Sequence, residues 1–232
     1  MSAGGFDFET QYNWGGMIAA GGAEGRAWLE SYRRAQGSIP LWVRESLGLL
    51  RDRRIEEGLE LLHRARARWM PLRATDPAVF HVLGRFYHGG IAYYFYCVED
   101  FARAERRMRR AQWSIAQAVS TAPFLVPFAA LCMDVPLKLV QIARARRRWR
   151  EMKERVAEVR EITADRRPLC TLRDGTPVYH GSVGEYLSSL PALDESHAEA
   201  ARYLQDAEYR REAVDRMLRG LYLLPGFVIS YP

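Results

Sequence analysis

Three stretches of the chain, 54–71, 100–117 and 208–225, align on one pattern of small and large residues. Each has a small residue, a large apolar residue four positions on, and another small residue three further. The trios are Gly58/Leu62/Ala65, Ala104/Met108/Ala111 and Ala213/Met217/Gly220. On a helix these positions share one face. Small residues seven apart let two backbones approach, and the large residue between them fills the gap above the partner. The pattern demands paired helices. It leaves little room for a parallel sheet, because no strands alternate with the helices.

Counting back from each trio gives a second set of contact positions. These are Trp42, Ser46 and Leu49, then His88, Ile91, Ala92 and Phe95, then His197, Ala200, Ala201 and Leu204. Together the two sets resemble the tetratricopeptide repeat, in which paired helices stack into a scaffold. The resemblance covers about 100 of the 232 residues. Glu45, His88 and His197 depart from the family pattern. Its closing proline falls at Pro225, one position late at Pro71, and is missing from the second unit. The leading small residues are 46 and 109 apart, where the family repeats about every 34.

The fold class expected is all-α: tetratricopeptide-like helix pairs with a small β-hairpin insertion. Residues 1–23, rich in Gly and aromatics, read as an N-terminal arm that docks Phe6, Phe8, Tyr12 and Trp14 on the body or stays mobile. Residues 24–232 read as one helical domain. Asp76-Pro77 marks a helix start, an N-cap before a proline at the first helical position. Asp174-Gly175 between two β-prone runs predicts the hairpin near 168–180, with Pro177 confining the second strand to an edge. Residues 134–162 read as one long helix. Ile142, Ala145, Trp149, Met152, Val156 and Val159 form a seam with alternating spacings of three and four. That seam suggests a homodimer through the 137–162 helix.

Composition bounds function only loosely. Hydrophobic content is 48%, enough for a core without metals or disulfides. The three cysteines, Cys97, Cys132 and Cys170, form no metal-ligand spacing and suit reduced thiols in a cytoplasmic setting. No signal peptide is expected at the start. The apolar stretch 121–133 falls short of the ~20 residues of a membrane span and is broken by Pro123 and Pro127, so no membrane partner is expected. Net charge is +6, carried mostly by arginine.

The run Tyr93, Tyr94, Phe95, Tyr96 lies on a first helix in the repeat register. Ile91, Ala92 and Phe95 then face inward. Tyr93 and Tyr96, with Cys97, face the concave surface where the resemblance implies peptide binding. Leu47, Leu50, Arg51, Arg202, Gln205 and Asp206 would share that surface. The competing reading is that the aromatics fill core. The arginine runs at 106–110 and 144–150 offer phosphate contacts through Arg146, Arg147 and Arg148. Their interleaved glutamates equally fit a solvated helix face. Glu60-x-x-His63 and Asp194-x-x-His197 each put a carboxylate and an imidazole on one face, with Glu99, Asp100 and Glu105 as further carboxylates for a di-metal bundle. The plainer reading of Asp194 is an N-cap. No P-loop, dinucleotide fingerprint or nucleophile elbow is present. The expectation is a non-catalytic adaptor, without cofactor, that binds a peptide or protein in a tyrosine-lined groove. A basic nucleic-acid-binding subunit and a carboxylate/histidine metal enzyme are the alternatives.

Overall fold

Short polar residues begin the two longest helices. Asp76 accepts a hydrogen bond from the Val79 amide, with Pro77 at the first helical position, and Asp100 accepts one from the Arg103 amide. They open α6 (Pro77–Cys97) and α7 (Phe101–Val119). The computed structural model describes residues 14–190 and 197–223. Before α6 come α1 (Trp14–Ala20), α2 (Ala23–Gln36), α3 (Ile39–Arg51), α4 (Ile55–Trp69) and the single turn α5 (Leu72–Thr75). After α7 follow a 3-10 segment (Pro123–Met133), α8 (Asp134–Ala145), α9 (Trp149–Thr163), strands β1 (Cys170–Thr171) and β2 (Pro177–Val178), α10 (His180–Ser188), α11 (Ala198–Gln205) and α12 (Ala207–Leu223). The fold is all-α with one small antiparallel hairpin, in the register Cys170↔Val178 and Thr171↔Pro177.

Helix α6 is the axis of the core. From Val79 to Tyr93 almost every side chain is buried, because α3, α4 and α7 cover it on several sides. Close approach needs small residues there. A Cβ on Gly90 would lie 2.9 Å from Leu62 Cδ2 and 3.0 Å from Val43 Cγ1. A Cβ on Gly58 would lie 2.8 Å from Leu50 Cγ.

Three helix pairs, α3/α4, α6/α7 and α8/α9, share one joint. Each turns through three residues whose middle member is left-handed: Arg53 (φ 64°), Glu99 (φ 60°) and Arg147 (φ 55°). In two of them the residue after the turn donates back five positions, Arg54 N to Leu49 O at 2.9 Å and Arg148 N to Ala143 O at 3.0 Å. This is a Schellman-type closure made without glycine. Counting from each left-handed residue aligns Gly58/Leu62/Ala65 with Ala104/Met108/Ala111 and with Met152/Val156/Val159. All nine are buried.

This corrects one expectation. The single helix over 134–162 is broken at 146–148, and of its seam Ile142, Met152, Val156 and Val159 are buried within the chain while Trp149 is 56% exposed. The third pair with this joint is α8/α9. Helices α11 and α12 meet at an extended Asp206, and α12 buries Ala213, Val214 and Leu218 while Met217 stays partly exposed.

Part of the expected arm packs on the body. Trp14 packs on Tyr32 at 5.6 Å and Phe128 at 5.2 Å, and Met17 and Ile18 are fully buried. Phe6, Phe8 and Tyr12 lie outside the described residues. The 3-10 segment runs straight into α8, so Pro123–Ala145 is long and apolar enough to cross a membrane by length and composition. Yet 83% of that window is buried within the fold, beneath α7 and α10.

Candidate anion-binding site

The predicted tyrosine groove is not assembled. Leu47 and Leu50 are core residues, because the face of α3 that carries them packs on α4 and α6. Tyr93 is buried, hydrogen-bonded to Cys97 and stacked on Tyr96 at 6.3 Å. Burial pushes its hydroxyl up to about 12. Arg51 is exposed at the end of α3. Arg202 and Asp206 serve the α11/α12 joint, and Gln205 ties α11 to α10. Arg202 lies 4.2 Å over the Tyr209 ring, and Gln205 Nε2 donates to Ser188 Oγ at 2.9 Å. Asp206 accepts from the Glu208 and Tyr209 amides. Helix α11 packs on α10 and α12, whereas α6 packs on α2 to α5 and α7, so the two halves of the groove belong to different interfaces.

The other candidates have local partners too. Arg146 faces Glu105 at 3.8 Å, Arg147 supplies the left-handed joint, and Arg148 faces Glu151 at 3.5 Å. Glu60 pairs with Arg64 at 3.2 Å, and His63 is exposed on the same helix. Glu99 is a joint residue, Asp100 a cap, and Glu105 is tied to Arg109 and Arg155. His197 is buried ahead of α11, and Asp194 lies outside the described residues. Among the described residues, no three His, Cys, Asp or Glu side chains come together to hold a metal.

A different cluster is assembled. A cavity of about 410 Å³ lies among α4, α5, α6, α7 and the hairpin. Three arginines reach it from three elements: Arg73 on α5, Arg110 on α7 and Arg173 in the hairpin turn. Among the described residues, no carboxylate lines it, and neither Arg73 nor Arg110 makes an ion pair. Arg110 instead lies flat over Trp113, its Cζ 4.1 Å from the ring centre. Trp113 is 41% exposed, unusual for an indole that packs on its neighbours. Deeper in, Trp69 stacks on Phe80 at 4.6 Å and 7°, its Nε1 donating to the Phe80 carbonyl at 2.7 Å.

Two histidines one heptad apart on α6 complete the lining. His81 and His88 are each more than nine-tenths buried, and among the described residues neither Nδ1 has a hydrogen-bond partner. Burial first, then Arg173, Arg110 and Arg73, holds His81 down at about 4. Burial first, then Arg107 and Arg110, holds His88 at about 3. Both are therefore neutral at pH 7, each with one N–H donor and one lone pair. All three arginines line the cavity that His81 lines.

The hairpin that delivers Arg173 is clamped at both ends. On the α7 side, Ser120 Oγ accepts from the Arg173 amide at 3.1 Å, Gln117 Oε1 from its Nε, and Gln112 donates to the Leu169 carbonyl at 3.0 Å. At the base, Asp165 accepts from the amides of His180 (2.9 Å) and Gly181 (3.1 Å), and it also meets His180 Nδ1 and Arg210 Nη2. Burial raises the Asp165 carboxyl, but the His180 and Arg210 contacts outweigh it and hold the group below its usual range. The buried Arg210 adds bonds to the carbonyls of Thr163 and Leu204.

Sequence reasoning missed this site because its members span residues 69–173 on five elements. One signal was available. His81 and His88 are polar residues seven apart on a helix that is otherwise apolar nearly all round. Chemically the site offers cations, imidazoles in their neutral form and flat rings. It holds no acid/base pair poised near neutrality. Comparison with models of protein families, with curated proteins and with solved structures gives no match.

Proposed function

We propose that the chain is a non-catalytic recognition protein, an adaptor or accessory subunit, that takes an anionic group of its partner or ligand into the cationic aromatic cavity. One observation carries this reading: three arginines converge on a cavity of small-ligand size without a single acidic neighbour among its lining residues. Arg109 and Arg150, by contrast, each face a glutamate at helical spacing. Like charges gathered without a counter-charge cost free energy, and an incoming anion relieves that cost.

The tetratricopeptide-like character remains a proposal. It rests on the small–large–small trios of the first two pairs and the recurring joint, at spacings of 46 and 48 residues between left-handed positions. A cytoplasmic setting is proposed on three unpaired cysteines. Binding of nucleic acid along 146–148 has less support, since those arginines close a joint.

The test uses two small probes, benzoate and phenyl phosphate, titrated into the purified protein with tryptophan fluorescence as the readout. The reading expects saturable binding of at least one probe, weakened by salt. Binding should be lost when Arg73, Arg110 and Arg173 are changed together to Gln, and kept when the exposed Arg150 is. It fails if neither probe binds, or if the triple variant binds like the parent.

A further inference from the structure

The number and placement of donors say more about the anion. A carboxylate carries one charge and two oxygens, which a single guanidinium fork can satisfy. This cavity presents three guanidinium groups from three directions. Arg173 lines the cavity and has its Nε engaged by Gln117, which leaves its two terminal nitrogens uncommitted by that bond. A phosphate monoester supplies up to two charges and three equivalent acceptor oxygens, the match for three separate arginines. The neutral His81 and His88 can each add a donor that does not compete for the charge. Beside the cations stands Trp113, with Arg110 over its ring, the His81 ring edge-on to it at 5.4 Å, and much of its surface open to solvent. An indole in that position offers a flat ligand a place to stack.

We infer that the cavity binds a phosphate monoester borne on a flat ring, with Arg73, Arg110 and Arg173 on the phosphate oxygens and Trp113 against the ring. This rests on the anion-recognition reading above and narrows it to one ligand class. The buried Nδ1 atoms of His81 and His88 fit the same assignment. Unsatisfied polar atoms are tolerated at places built to meet a ligand. A mononucleotide and a phosphotyrosine are two sources of this chemistry. The volume of about 410 Å³ admits either.

The experiment is calorimetric titration of the intact chain at pH 7.5 with phenyl phosphate, benzoate, inorganic phosphate, adenosine 5′-monophosphate and phosphotyrosine. The expected result is one site, with phenyl phosphate bound at least tenfold more tightly than benzoate. Arg110→Gln and Arg173→Gln should each weaken it tenfold or more, with the helical circular dichroism unchanged. Trp113→Ala should bring phenyl phosphate down to the affinity of inorganic phosphate. Tighter binding of the nucleotide or of phosphotyrosine than of inorganic phosphate supports the ring contact, and the tighter of the two names the source. Equal arginine-dependent binding of benzoate and phenyl phosphate overturns the phosphate assignment while leaving anion recognition standing. Inorganic phosphate binding as tightly as every ring-bearing probe overturns the role of Trp113. Binding of none of the five overturns both readings.

Discussion

Acidification should unfold this protein through the two histidines that line its cavity. An unfolded histidine titrates near 6.5, whereas His81 is held at about 4 and His88 at about 3 in the fold. Their folded values are depressed, so their contribution is fully present above pH 6.5. It is lost as pH falls from there toward the folded values, because the unfolded chain takes up protons that the folded chain refuses. Each buried histidine contributes a slope of about 1.4 kcal/mol per pH unit in that window. His88 should give nearly all of it. His81 should give about half, since the arginines around it are solvated and screened. Between pH 6.5 and 4.5 the pair then costs about 4 kcal/mol, a large part of the ~5–15 kcal/mol typical of a domain. Urea unfolding at half-unit steps of pH, for the parent and for His81→Gln/His88→Gln, measures this directly. The double variant should lose stability about 2 kcal/mol less steeply per pH unit. What remains belongs to His180, which burial also lowers, and to the carboxylates. Parallel slopes in the two proteins would refute the reasoning.

Two further outcomes follow from the clamps and joints. Asp165→Asn removes the charge that faces the buried Arg210 and one acceptor at the start of α10, and should cost on the order of 3 kcal/mol in urea unfolding. Arg53→Gly, Glu99→Gly and Arg147→Gly each relieve a left-handed residue at the cost of a looser unfolded chain. Each should be neutral to stabilising by up to about 1 kcal/mol, so the triple variant should melt no lower than the parent; a clear loss would mean that those side chains hold the joints.

The helix pairs were legible because their contact faces repeat. The Asp76 and Asp100 caps, the Asp174-Gly175 turn and the trios on α4 and α7 all have local spacing that a sequence displays. The α8/α9 joint was not, for a physical reason. Arg146, Arg147 and Arg148 carry no glycine or proline, and a left-handed arginine looks like any helical arginine. The continuous seam from Ile142 to Val159 then disguised two antiparallel faces as one. Leu47 and Leu50 were misplaced because the family register says which face points toward the groove, while here α6 is long enough to bury that face of α3. The cavity stayed hidden because it depends on where a hairpin at 170–178 lands against α7, and that is set by Gln117, Ser120 and Asp165 acting across more than 40 residues.

Arg73, Arg110 and Arg173 are proposed to make one anion site beside Trp113 and Trp69. Nitrogen–proton correlation spectra resolve the indole N–H signals of the six tryptophans, and phenyl phosphate can be titrated against them. The account predicts that the Trp113 and Trp69 signals move together along one saturable curve. The signal of Trp149, 56% exposed on α9, should stay fixed. Movement of Trp149 with the others, or no movement at Trp113, would contradict it.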